Sequence, residues 1–88
     1  MEIEGREGDP AADALQLLLR PYCLLCLEAE HVLALAGIAA FERVDIERDP
    51  ALEARYGTVI PVLRRPDGAE LAWPFTPEQV GRLASGRR

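Results

Sequence analysis

Leu15-Gln16-Leu17-Leu18-Leu19-Arg20-Pro21-Tyr22-Cys23-Leu24-Leu25-Cys26 sets a short apolar run directly before two cysteines three apart. Period alone does not separate strand from helix in a run this short. Propensity even admits a helix, with Asp9 as cap and Pro10 in its first turn. The residues that follow favour a strand. From Leu24 to Ala36, the residues Leu25, Ala29, Val32, Leu33 and Ala36 recur with the period of a helix laid along a sheet. Gly37 stands just past its end, where a left-handed residue closes many helices. A buried strand running into a helix that starts with C-x-x-C is the expected opening of a βαβ unit.

Further along, Phe41 to Ile46 alternates as a strand, with Val44 and Ile46 on one side and Arg43 and Asp45 on the other. Asp49-Pro50 starts a short helix as cap and first-turn proline, and Gly57 ends it. Val59 to Leu63 is β-branched and apolar and reads as a strand, although Pro61 interrupts it. Pro66-Asp67-Gly68 supplies a tight hairpin turn, and Ala69 to Trp73 pairs back. Thr76-Pro77-Glu78-Gln79 is a capping box opening a helix to about Ala84, beyond which the arginine-rich end frays. The order is β-α-β-α-β-β-α, one sheet with helices on its faces. Residues 1–12 read as a flexible tail and 13–88 as one domain.

The bulk composition narrows the function. Apolar residues make up 49% of the chain, enough for a packed core. Net charge is -5, and the ten basic residues, all arginine, form no cluster of the kind that neutralises phosphates. Nucleic acid and anionic membrane surfaces are therefore not expected partners. Met1-Glu2-Ile3-Glu4-Gly5-Arg6-Glu7 is acidic, the reverse of a signal peptide, and no apolar stretch is long enough to span a bilayer. These features lead us to expect a cytoplasmic monomer. A lasting structural disulfide is not expected in that compartment, so the two cysteines need another use.

Thiol chemistry offers one. Only a thiolate attacks a disulfide, and the free N–H groups of a helix start stabilise negative sulfur. Cys23 is expected just outside the helix, where those groups point, and Cys26 one turn in and more shielded. That geometry makes Cys23 the attacking thiol and Cys26 the resolving one. A metal half-site is the rival, since His31 completes a C-x-x-C-x4-H spacing. Zinc asks for four ligands, however, and His31 falls more than a turn past Cys26 on a helix face, where it reads as a solvated residue. Pro61, taken alone, is an ordinary edge-strand proline.

Together these residues resemble a known family. Arg20-Pro21-Tyr22-Cys23-Leu24-Leu25-Cys26, Val44-Asp45-Ile46, Tyr56-Gly57-Thr58-Val59-Ile60-Pro61-Val62-Leu63 and Trp73-Pro74-Phe75 are similar to the glutaredoxin-like group of small bacterial thioredoxin-fold proteins. The resemblance covers about residues 14 to 84. It implies an α/β thioredoxin-like (glutaredoxin-like) fold, a four-stranded mixed sheet flanked by three helices. It also implies Cys23 as nucleophile, Cys26 as resolver, and Pro61 in cis, presenting the backbone of Ile60 to an extended substrate. Arg20, Tyr22, Ile60, Pro61 and Trp73 form the expected substrate-binding set. No tightly bound cofactor or metal is implied. Glutathione is a candidate electron donor, and a disulfide-containing protein or glutathione is the expected partner.

The chain departs from true glutaredoxins at three places. Two leucines stand between the cysteines where Pro-Tyr is usual. Trp73-Pro74-Phe75-Thr76 occupies the place of a glycine turn whose N–H groups hold a glutathione carboxylate, and Pro74 has no N–H to give. Arg20 replaces a common lysine, able either to grip a carboxylate or to sit as a strand-end charge. Trp73 and Phe75 also read as core packing for the last helix. The expectation is a thiol–disulfide oxidoreductase. Two alternatives stay open: a binding module docking through Leu24, Leu25 and Leu27, and a dimer sharing an iron–sulfur cluster.

Overall fold

Leu17 and Leu18 are neighbours in one strand and so point to opposite faces of the sheet, and each meets a different layer of helix. The computed structural model describes residues 15–86. The tail assigned to residues 1–12 and the frayed arginine end lie outside the described residues. Strand β1 (Gln16–Leu19) pairs in parallel with β2 (Glu42–Asp45) and antiparallel with β3 (Val62–Arg64), which pairs antiparallel with β4 (Glu70–Ala72). The sheet order is β2-β1-β3-β4. Helices α1 (Leu24–Leu35), α2 (Pro50–Tyr56) and α3 (Pro77–Ser85) complete a thioredoxin-like α/β fold.

Register follows from burial. Leu17 faces Leu63, and both join Leu15, Ala29, Leu33, Val80 and Ala84 in a core roofed by α1 and α3. Leu18 faces Val62, and both join Ile46 and Tyr56 in a second core under α2. A one-residue slip would exchange the two sets. Each leucine buried this completely contributes about 1.5–3 kcal/mol. Tyr56 closes the second core with its hydroxyl donating to Glu70 of β4. No helix among the described residues is long and apolar enough to cross a membrane.

The local punctuation has the expected causes. Gly37 takes φ 82, and N–H groups of Gly37 and Ile38 reach back to Ala34 and Leu33, which closes α1. Asp49 caps α2, and Thr76 with Gln79 forms both bonds of a capping box on α3. Gly68, at φ 95, lets the N–H of Arg65 reach Ala69 across the hairpin.

Three expectations are corrected. Leu25 is not buried against the sheet: the buried line of α1 runs through Cys26, Ala29 and Leu33, and Leu25, at its edge, is 47% exposed. The strand begun at Phe41 is shorter. Asp45 accepts from the N–H of Glu47 and starts a 3-10 turn over Ile46–Arg48, although Ile46 keeps its core position. The strand read from Val59 begins only at Val62. The N–H groups of Val59 and Ile60 both turn back to the Tyr56 carbonyl at 2.9 and 3.2 Å, so those residues finish α2 instead.

Candidate functional site

Cys23 is the N-cap of α1, held in extended backbone while the helix begins at Leu24. Its Sγ takes the place that a serine or aspartate oxygen takes at most caps, accepting the N–H of Cys26 at 3.2 Å. Cys23 remains partly open to solvent, whereas Cys26 is buried. Burial pushes the Cys26 thiol up to about 11, and its hydrogen bond to the Cys23 sulfur adds to the rise. Backbone hydrogen bonding from Arg20 and the charges nearby are smaller influences. The pair is therefore unequal: one sulfur is accessible and receives a helix N–H, the other is shielded and keeps its proton.

Arg20 lies at the end of β1, and its side chain turns to α2. One guanidinium nitrogen meets Glu53 at 2.7 Å and Glu47 at 3.4 Å, and the other donates to the Gly57 carbonyl at 2.8 Å. These carboxylates hold it firmly protonated, its pKa raised above the ordinary arginine value. Gly57 has ordinary helical φ, so left-handed freedom is not its use here. A Cβ there would stand 2.6 Å from the Glu53 carbonyl oxygen and 3.0 Å from the guanidinium. The absence of a side chain lets Arg20 come close and tie the segment before Cys23 to α2.

Tyr22 sits at φ 59 with a fully exposed ring. A bulky residue in the left-handed region costs on the order of 1–3 kcal/mol, and the ring has no buried contact to offset it. Tyr22 thus stands out beside Cys23, followed by Leu24 (77% exposed), Leu25 (47%) and Leu27 (62%). The Ile60–Pro61 peptide bond is cis; Ile60 packs on the second core and Pro61 is buried. Pro61 accepts the N–H of Trp73 at 3.0 Å, which joins two of the residues singled out in the sequence. Trp73–Pro74 is also cis, which the sequence reading did not anticipate. Trp73 and Phe75 meet edge to face at 5.1 Å, with Phe75 in the first core, so core packing is part of what they do.

One feature escaped the sequence reading. Leu27, Glu28, His31 and Val32 of α1 and Trp73 line an open groove of about 420 Å³. Spacings of four and eight from Cys23 to Leu27 and His31 are the signal that marks them as sharing its helix face. Among the described residues, no three of His, Cys, Asp and Glu converge as metal ligands.

Comparison with known proteins agrees with this architecture. The family profile of the glutaredoxin-like domain (DUF836) matches residues 14–83. The X-ray structure of Northeast Structural Genomics target protein XcR50 from X. campestris is similar at 42% identity and TM-score 0.76, over 84% of this chain and 99% of that one. The solution structure of the same target gives 43% identity and TM-score 0.77, over 85% and 96%. A comparison with curated proteins found no match. By the span of the profile match and by its likeness to XcR50, this chain belongs to the glutaredoxin-like domain family.

Proposed function

We propose that the chain is a dithiol oxidoreductase that reduces protein disulfides or glutathione mixed disulfides, working in the reducing environment of the cytoplasm. The observation that carries this reading is the unequal cysteine pair, with Cys23 open at the helix start and Cys26 buried and protonated behind it. Cys23 thiolate attacks one sulfur of the substrate. That S–S bond breaks, a Cys23–substrate disulfide forms, and the departing thiolate takes up a proton. Two influences that keep Cys26 protonated, its hydrogen bond to Cys23 and the charge there, vanish once Cys23 is in a disulfide. Cys26 then yields its proton and attacks Cys23. The Cys23–Cys26 disulfide forms and the second substrate thiol leaves. Two electrons and two protons have passed to the substrate, and a thiol donor, glutathione or a reductase dithiol, restores the protein.

Within this scheme Ile60 and Pro61 are the docking edge for an extended substrate, and Tyr22 and Trp73 flank it. Arg20 acts as a positioning residue through α2. The exposed leucines around Cys23 favour a second reading, a binding module without redox turnover. Intact mass after exposure to a disulfide-bearing peptide separates the two. Cys26→Ser should stall as a stable adduct on Cys23, and Cys23→Ser should form none. Equal adducts on both variants would refute the roles. An inert wild type would hand the case to the binding module.

A further inference from the structure

Arg20 is held by Glu53 and Glu47, and Arg43 by Glu30 at 2.7 Å. Glu28, exposed on α1, has no ion pair or hydrogen bond among the described residues. It stands on the wall of the groove, whose other lining residues are Leu27, His31, Val32 and Trp73 and whose surface is chiefly apolar. Leu27 connects that groove to the sulfur. It follows Cys23 by one helical turn, its N–H donating to the Cys23 carbonyl at 3.1 Å, so the two share a face about 5–6 Å apart. With Tyr22 and Leu24 exposed on the approach, an apolar path leads from the reactive thiol to a lone carboxylate.

We propose that this groove selects the substrate: a protein disulfide whose attacked cysteine is flanked by an apolar residue and a basic one, in preference to glutathione. The inference rests on the redox reading above and names its substrate class. An extended chain advances about 3.3 Å per residue, so an apolar side chain two positions from the attacked cysteine arrives over Leu27. A neighbouring arginine or lysine then reaches Glu28. Glutathione is poorly matched to the same surface. It brings two carboxylates to a wall holding Glu28 on a chain of net charge -5, and Pro74 has no N–H to receive one of them. The electron balance is that of the exchange already described; the groove changes only which disulfide arrives.

The test uses the full chain and a short peptide disulfide with leucine two positions from cysteine and arginine beside it. Its arginine-to-glutamate and leucine-to-serine versions, oxidised glutathione, and bis(2-hydroxyethyl) disulfide are the comparisons. An exposed ion pair shifts affinity about two- to fivefold, and opposing charges extend that, so the arginine peptide should react about tenfold faster than the glutamate peptide at low salt. High salt should erase that ratio, because the groove is open to solvent. Leucine-to-serine should slow reaction about tenfold through lost apolar burial. Glu28→Gln should remove the charge preference and Trp73→Ala the apolar one. Equal rates for the three peptides, or a faster rate with oxidised glutathione, would overturn the groove while bis(2-hydroxyethyl) disulfide still reacts. Failure of that flankless probe as well would overturn the redox reading itself.

Discussion

Changing Cys23 to serine leaves Cys26 as the chain's one thiol, and its reactivity can be worked out from its surroundings. Serine is a favoured N-cap, so its hydroxyl can accept the Cys26 N–H and α1 keeps its start. Burial, the larger cause of the raised Cys26 pKa, is untouched by the change. A thiol at about 11 rather than 9.0 carries about a hundredfold less thiolate at neutral pH. The variant loses the hydrogen bond and charge that Cys23 contributes, so its thiol lies below about 11 and a hundredfold is the upper bound. Alkylation by iodoacetamide goes through the thiolate, so Cys23→Ser should react more slowly folded than in denaturant, by up to about a hundredfold. Its rate should still climb with pH at 9 and level off between about 9 and 11. Intact mass against time, across a pH series, gives both quantities. A folded rate equal to the denatured one, or a plateau below pH 9, would refute the assignment of Cys26 as the shielded, proton-keeping sulfur.

The same pKa governs stability. A thiol whose pKa is raised by folding holds its proton longer folded than unfolded, so that stability is whole below about pH 9 and is lost as pH climbs through about 11; denaturant midpoints of the reduced protein should fall over that window, and the fall should shrink in Cys26→Ser. Gly57→Ala forces a Cβ to within 2.6 Å of the Glu53 carbonyl oxygen, an overpacking of about 1–3 kcal/mol, and should lower Tm by about 5–15 °C, whereas an unchanged Tm would mean that Arg20 and α2 do not need that close approach.

What could be read from the chain and what could not divides along the range of the interactions concerned. The caps of α2 and α3, the end of α1 at Gly37 and the hairpin at Gly68 rest on contacts within about five residues, and each stands where its residues put it. Val59 departs from the strand expectation because its β-branched side chain argues for a strand, while its N–H is claimed by the Tyr56 carbonyl. Propensity carries no information about which carbonyl will claim an amide. Leu25 departs from its expected place for a related reason. Two lines of apolar residues run along α1, and only contact with Leu17 and Leu63 across the sheet decides that the line through Cys26, Ala29 and Leu33 is the buried one.

The candidate site shows the same division more sharply. The inequality of Cys23 and Cys26 is local, since a cap and a residue one turn inside it differ in exposure wherever such a helix packs on a sheet. Arg20 was legible as a charge but not as a tie, because Glu47, Glu53 and Gly57 reach it only once α2 is folded against the end of β1. The groove is the furthest from legible. Leu27, Glu28, His31 and Val32 read as one more stretch of amphipathic helix until Trp73, anchored to Pro61 by its N–H, stands as the opposite wall. The two leucines of the C-x-x-C motif acquire a different meaning in that setting. On an isolated helix they are core candidates. Here Cys26 occupies the buried position, so Leu24 and Leu25 are left outward beside the reactive sulfur, and the surface around Cys23 is apolar as a direct consequence of burying its partner.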